Sequence, residues 1–463
     1  HKSMARRLFS LSFPSPPLRI PRFIQSRGYS VKSRKFDPED VGCVWRGVGT
    51  GELLARYYLF RFSQLPVVIS TVRAMTRCAI EKRSGWGFRG FVSRLWITWL
   101  KRGIFKLYVA GEEFQDCERV VRFLSIFNMS AIIDHSKEEK RTSESYAETL
   151  KDKEYLFSQI RNSNWAKDTV QFVPIKPTSL IPPSLLEKIS EISQDLQRES
   201  PAGEIPGIPG FEARLCPGDL QRFRESRDYL RRVSEMAREA GVGLLLDAEG
   251  THLQEGVDVF ARDLMKNQNT KFPHIYNTYQ MYLRGGDEKL KKDLNFAKSK
   301  GCCLGIKLVR GAYMTSEIES ASLSDPESPV SPILPSKIET DRQYDRCMEL
   351  VLGEIAQNPQ GFGLLVATHN RRSISKALEI MESQGIPRDS PSVHFAQIMG
   401  LCDNLGHALG TAGYNAHKLV LYGEFNDVFP WLLRRLDENK DSLGATVEES
   451  RVIWQGIWER LSS

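Results

Sequence analysis

From residue 129 onward, short runs of apolar and β-branched residues alternate with longer stretches whose apolar positions recur every three or four residues. Eight such runs fall at 129–135, 172–180, 243–249, 274–280, 305–313, 363–370, 393–400 and 418–423. Runs of this length and composition predict strands buried on both faces. The stretches between them predict helices: in 219–240, Leu220, Phe223, Leu230, Val233 and Met236 share one side and Gly241 supplies the stop. Strands alternating with helices imply a parallel sheet, and eight of them predict a closed (βα)8 barrel of the α/β class.

Other segments do not follow the alternation. Residues 51–106 read as helical and apolar, with Trp86, Trp96 and Trp99 among arginines and lysines. Such a pattern suits a membrane interface, but the segment is expected rather to pack as a helical layer on the main domain. Residues 182–217 hold a short helix and a Gly/Pro loop, and 316–336 are rich in Ser and Pro without apolar periodicity, so both are expected at the surface. Near the end, Thr446 and Glu449 have the spacing of a capping box before a helix carrying Val452, Ile453, Ile457 and Leu461. The expected organisation is a leader at 1–36, a helical region at 37–120 and the barrel at 121–463.

Composition narrows the function classes through where the charge lies. The formal net charge is +7, but nine basic residues precede the first acid, Asp37; the remainder holds 55 basic against 57 acidic residues, a net of −2. No overall attraction to a phosphate backbone follows, and no nucleic-acid partner is expected. Residues 4–30 are rich in Arg and Ser, free of acids and dotted with Leu and Phe, the composition of a mitochondrial transit peptide. The most apolar window, 53–70, contains Arg56 and Arg61, so no membrane span is expected. The eight cysteines form no CxxC pair, which predicts free thiols and neither a zinc framework nor a disulfide scaffold.

A barrel of this kind carries its chemistry at the C-terminal ends of its strands. The polar residues there are Lys176, Asp247 with Glu249, Gln280, Lys307 with Arg310 and Tyr313, His369 with Asn370, and Gln397. Asp247 and Glu249, two apart on a strand, are expected to share a face; they suit an acid/base pair, a metal or a cationic group, or a structural ion pair. Lys176 suits a Schiff base or an anion contact. His369 lacks HxH or HExxH spacing, which disfavours a metal. Arg434 and Arg435 point about a hundred degrees apart on a helix at 428–438, and act together only if that helix crosses the barrel mouth. Gly47, Gly49 and Gly51 lie outside any strand–turn–helix unit, so no dinucleotide loop is expected. A barrel lyase or hydrolase using Lys176 and the Asp247/Glu249 pair fits these residues as well.

Seven ordered motifs then narrow the choice: KPTSL from Lys176, DAE from Asp247, YNTYQ ending at Gln280, KLVRGAY from Lys307 to Tyr313, ATHN ending at Asn370, FAQIMG from Phe395, and RRxxEN from Arg434. In this order, from about Phe105 to the end, the chain resembles proline dehydrogenase. The resemblance implies a distorted (βα)8 barrel that holds FAD without a covalent bond and oxidises L-proline, passing electrons to ubiquinone at the mitochondrial inner membrane. It implies that Arg434 and Arg435 bind the substrate carboxylate, with the last barrel helix over the mouth, and that Lys176, Asp247 and Tyr313 line the substrate side. FAD contacts fall to Gln280, Lys307, Arg310, Gly311, Ala312, Thr368, His369 and Asn370, with Glu438 beside the cofactor or behind the arginines. The chain departs from the family pattern at Leu419 and Trp431, each standing where a tyrosine is expected. Hydroxyproline, another cyclic amine, or a flavin-binding relative with little turnover therefore stays open.

Overall fold

The computed structural model describes residues 35–63, 71, 74–76, 93, 95–98, 100–136, 143–199, 205, 207–324, 331–429, 432 and 443–462. Nine parallel strands form one sheet: β1 (Val109–Gly111), β2 (Ser130–His135), β3 (Val170–Ile175), β4 (Gly243–Leu246), β5 (Ile275–Gln280), β6 (Leu304–Val309), β7 (Phe362–Ala367), β8 (Val393–Ile398) and β9 (Ala416–Tyr422). Strands β2 to β9 pair in sequence and β9 pairs back onto β2, closing the expected (βα)8 barrel. β8 ends at Ile398, opposite Leu419, and β1 takes up the edge of β9 beyond it, at Leu421 and Tyr422.

Register sorts every strand into inward and outward positions, because side-by-side residues of a parallel sheet point the same way. The inward floor is Ile132, Phe172, Leu245, Tyr276, Leu365 and Ala396, with Leu419 packed against it. Phe172 lies 5.3 Å from the Tyr276 ring and 5.0 and 5.5 Å from His394 and His417, so the floor is a packed aromatic layer. Tyr276 fits because its neighbours are glycines: a Cβ at Gly363 would stand 2.5 Å from its hydroxyl, and one at Gly305 2.8 Å from its ring. Outward positions pack under the helices in one large core running from Ala110 to Tyr422.

Two smaller cores decide what surrounds the mouth. Trp45, Val48, Leu53 and Phe60 pack against Val452, Ile453 and Ile457, so the helix Thr50–Ser63 and the C-terminal helix Leu443–Ser462 form a layer outside β8 and β9. Ile97, Leu100, Phe105 and Tyr108 pack with Leu421, Phe425, Val428, Phe429 and Leu432, roofing the β8–β9 side of the mouth. Among the described residues no helix is long and apolar enough to cross a membrane, and the seven described cysteines are free.

Some sequence expectations are corrected. The run at 172–180 ends as a strand at Ile175, because Pro177 opens a short 3-10 turn, Pro177–Ser179, that no ladder can accept. The run at 243–249 likewise stops at Leu246. Residues 316–324 of the Ser/Pro-rich stretch belong to a helix, Met314–Ser324, preceding the prolines at 326 and 329. The C-terminal helix begins at Leu443, so Thr446 and Glu449 lie inside it and form no capping box; Glu449 binds elsewhere.

Among the described histidines His274, His394, His407 and His417 are buried and His369 is half-buried, and desolvation favours the neutral form of all five rings. Burial lowers His274, His394 and His407 to about 4 and His369 to about 3, and pushes His417 well below its ordinary value. Unfolded, each takes a proton near pH 6.5, so below that pH the unfolded chain binds more protons and stability falls as pH drops towards 4. Burial raises Asp134, Glu249 and Glu449, which offsets part of this. The expected net loss is on the order of 2 kcal/mol per pH unit below about pH 6, read from urea midpoints at pH 7.5, 6 and 5. A flat profile would show that these rings are not held neutral.

Candidate active site

The upper inward layer follows from the same register: Asp134 on β2, Lys176 after β3, Asp247 after β4, Thr278 and Gln280 on β5, Lys307 on β6, Ala367 on β7, Ile398 on β8, and Leu419 with Leu421 on β9. Walking round the barrel, the first five strands present charged and polar groups and the last three present apolar ones. The chamber thus has a polar wall and an apolar wall, the latter continuous with the roof. A small ring with a charged edge matches that division.

Lys307 Nζ lies 2.5 Å from Asp247 Oδ1, with side-chain exposures of 17% and 32%. That places Lys307 and Asp247 in one charged pair across the chamber. Asp134, absent from the residues singled out by sequence, completes the group. Its carboxyl is raised by burial and by Asp247, against the pull of Lys153, Lys176 and Lys307. The signal for it was present: it stands two residues beyond Ile132 on the same strand face.

Glu249 does not share the Asp247 face. With the strand finished at Leu246, its side chain turns to Thr178, whose hydroxyl donates to it at 2.7 Å, and towards the Tyr313 hydroxyl at 3.5 Å. Burial raises it above the ordinary carboxylate range, and the Thr178 hydrogen bonds pull it partly back. Tyr313 also donates to the Ala248 carbonyl at 3.2 Å. Asp247 and Glu249 are therefore engaged with different partners, which removes the shared face on which the lyase or hydrolase reading relied.

The other cluster sits at the ends of β5, β6 and β7. Arg310 donates to Asp341 (2.6 Å), Thr368 (2.8 Å) and Ser373 (2.9 Å), and its guanidinium lies 4.3 Å from the Tyr344 ring centre. These contacts hold the fork in one orientation. Gly311 has φ +150° with the Tyr282 ring 2.0 Å from where a Cβ would be, so backbone alone fits there, and Ala312 follows half-buried. Asn370 caps the helix Arg371–Ser383 by accepting from the Arg372 and Ser373 N–H groups. His369 Nε2 accepts the Ile398 N–H at 3.1 Å, which leaves the proton of the neutral ring on Nδ1.

Gln280 donates to the Glu249 carbonyl at 3.1 Å, while its Oε1 is buried without a partner among the described residues. A buried acceptor left unpaired costs on the order of 1–3 kcal/mol, and a ligand N–H there would recover it. With fixed cations at Lys307 and Arg310, close backbone approach at Gly311 and this acceptor, the set fits a large cofactor with both N–H and anionic groups, as a flavin nucleotide has. Arg434, Arg435, Glu438 and Trp431 lie outside the described residues; the helix before them begins at 425–429 on the roofed side, with Leu432 buried.

Fold and site define a parallel (βα)8 barrel with a charged, half-roofed chamber at the C-terminal ends of its strands. A family model for proline dehydrogenase matches residues 118–447, and the chain belongs to that family. It is 29% identical over 460 residues to hydroxyproline dehydrogenase of Homo sapiens, covering 94% of this chain and 95% of that one. To the mitochondrial proline dehydrogenase 1 of Homo sapiens it is 34% identical over 262 residues, covering 55% and 43%. Among solved structures it resembles proline utilization A from Bdellovibrio bacteriovorus, inactivated by N-propargylglycine, at a TM-score of 0.64 and 18% identity. That match covers 87% of this chain; the chain spans about two fifths of that longer protein, and the likeness is one of fold.

Proposed function

We propose that the protein is an FAD-dependent dehydrogenase of a cyclic amino acid, L-proline or hydroxyproline, that passes its electrons to ubiquinone in mitochondria. The observation that carries this reading is the two-walled chamber, with the Lys307–Asp247 pair on one side and the Arg310, Thr368 and His369 cluster beside it. FAD bound against Gln280, Lys307, Arg310, Gly311, Ala312, Thr368, His369 and Asn370 supplies the two-electron acceptor for the C–H bond beside the ring nitrogen. The chain's own residues do the positioning: the apolar wall of Ile398, Leu419 and Leu421 takes the ring methylenes and excludes water, while Lys176 and Asp247 orient the polar edge. Tyr313, tied to Ala248 and Glu249, closes the polar side. By the family resemblance, Arg434 and Arg435 take the carboxylate.

Leu419 favours hydroxyproline as the better substrate, since it faces inward where the family pattern has a tyrosine, and a smaller side chain leaves room for a ring substituent. Relatives named hydroxyproline dehydrogenase that align over nearly the whole chain support the same preference. The acid-free leader and relatives named as mitochondrial support the location, with peripheral contact at the inner membrane where the quinone resides.

The purified protein is expected to be yellow, with flavin bands that bleach without oxygen on adding hydroxyproline or proline and recover on adding a soluble ubiquinone analogue. Arg434→Ala and Arg435→Ala are expected to keep the flavin and weaken substrate binding by roughly 2–5 kcal/mol, the loss of a charge-assisted partner. Colourless protein that takes up no FAD would favour lyase or hydrolase chemistry. Flavin bands that no cyclic amine bleaches would mark a relative without turnover.

A further inference from the structure

We infer that Glu449, on the C-terminal helix and 80 residues from His369 in sequence, is a positioning residue for the cofactor side of the site: it holds the loop after β8 against His369. The inference rests on the flavin reading above. The loop, residues 399–402, leads from β8 into the helix Asp403–Thr411. It bends through Gly400 at φ +79° and Cys402 at φ +49°. The second is a left-handed conformation that a side chain other than Gly, Asn or Asp rarely adopts, so surrounding contacts must impose it.

Those contacts come largely from outside the loop. Glu449 accepts the Cys402 N–H on Oε2 and the Asp403 N–H on Oε1, both at 2.7 Å. A carboxylate from one helix thereby caps the N-terminus of another, satisfying two donors that the residues at the helix start leave unpaired. Asp403 is in turn held by Lys418 at 2.7 Å and Arg56 at 2.5 Å, and Lys418 also donates to the Leu401 carbonyl at 2.8 Å. The helices Thr50–Ser63 and Leu443–Ser462 are thus both pinned to this one turn.

The turn bears directly on His369. The Ile398 N–H just before it donates to Nε2, and the Cys402 thiol within it donates to the His369 carbonyl at 3.8 Å. The ring's tautomer and the peptide carrying it are therefore set by residues on either side of a bend that Glu449 holds. Glu449 is 2% exposed and each of its carboxylate oxygens accepts an N–H of this turn. Releasing it would free the bend to relax, and His369 with it.

The test is a double-mutant cycle on the holoenzyme read by flavin binding. Glu449→Gln keeps the shape of the side chain but presents one acceptor oxygen to two N–H groups, and is expected to raise the FAD dissociation constant roughly tenfold, the scale of a lost helix cap. The visible flavin bands are expected to shift, because the ring beside the cofactor is no longer fixed. In a His369→Ala background the same substitution is expected to change the dissociation constant less than threefold, since the route through His369 is already gone. Exposed Glu459→Gln serves as the control and is expected to leave flavin affinity unchanged. Thermal unfolding of each apoprotein separates loss of fold from loss of positioning. Unchanged flavin affinity in Glu449→Gln, or a full tenfold effect retained without His369, overturns the inference while the flavin reading stands. Wild-type protein that takes up no FAD overturns the reading and the inference together.

Discussion

Lys307→Met is expected to cut turnover of the cyclic amino acid by about a hundredfold or more, corresponding to roughly 3 kcal/mol. Lys307 is the cation closest to Asp247, and Asp247 stands among Asp134 and Glu249, both already raised by burial. Without the ammonium group, Asp247 and Asp134 are left together in a partly enclosed chamber, with Glu249 close behind them on its Thr178 contact. At least one then takes up a proton at neutral pH, because like charges in such a space disfavour ionisation. The polar edge of the substrate loses its orientation as a result. Lys307→Arg keeps the charge but brings a planar fork where the chamber holds a point charge, and is expected to recover only part of the activity. The measurement is kcat/KM with proline and hydroxyproline beside flavin content; a kcat/KM within threefold of wild type in Lys307→Met would show that the pair is structural only.

The second large effect concerns stability. Lys418 is fully buried on the outward face of β9, where it donates to the Ile398 and Leu401 carbonyls and pairs with Asp403. Lys418→Met is expected to destabilise the protein by about 3–5 kcal/mol, because it leaves the buried Asp403 carboxylate and the Ile398 and Leu401 carbonyls short of a donor. Arg56 still faces Asp403, which keeps the loss from being larger. Adding Asp403→Leu is expected to make matters worse, since Arg56 then loses its buried partner, whereas the triple replacement with Arg56→Met is expected to recover part of the loss. Urea midpoints decide it: additive losses across the series would mean that the three charges do not form one network.

Much of the barrel is legible in the chain itself, and the reason is local. Strand runs and the helices between them are encoded by periodicity, which depends only on which face each residue turns to the interior. Arg310 and Thr368 illustrate how far this reaches: each follows a strand directly, so its place at the mouth is given once the strand is recognised. Where a backbone ladder stops is harder to read. The runs 172–180 and 243–249 look continuous in composition, yet Pro177 in one case and the turn towards Thr178 in the other end the strands early, and Glu249 changes face as a consequence.

By itself, the sequence determined the fold class, the order of motifs at the strand ends and the separation of a basic leader from a nearly neutral body, because each is a matter of spacing or composition along the chain. Only the tertiary structure decided that Lys307 pairs with Asp247, that Asp134 joins them, that Glu449 caps a helix other than its own, and that Lys418 is buried with Asp403 and Arg56. Lys307, Asp247 and Asp134 stand on next-but-one strands and meet only once the sheet between them has paired, while Arg56 and Glu449 reach Asp403 only after the terminal helices have packed against the barrel. Such charges are placed by strand pairing and helix packing, and no periodicity along the chain records which partner a buried charge will meet.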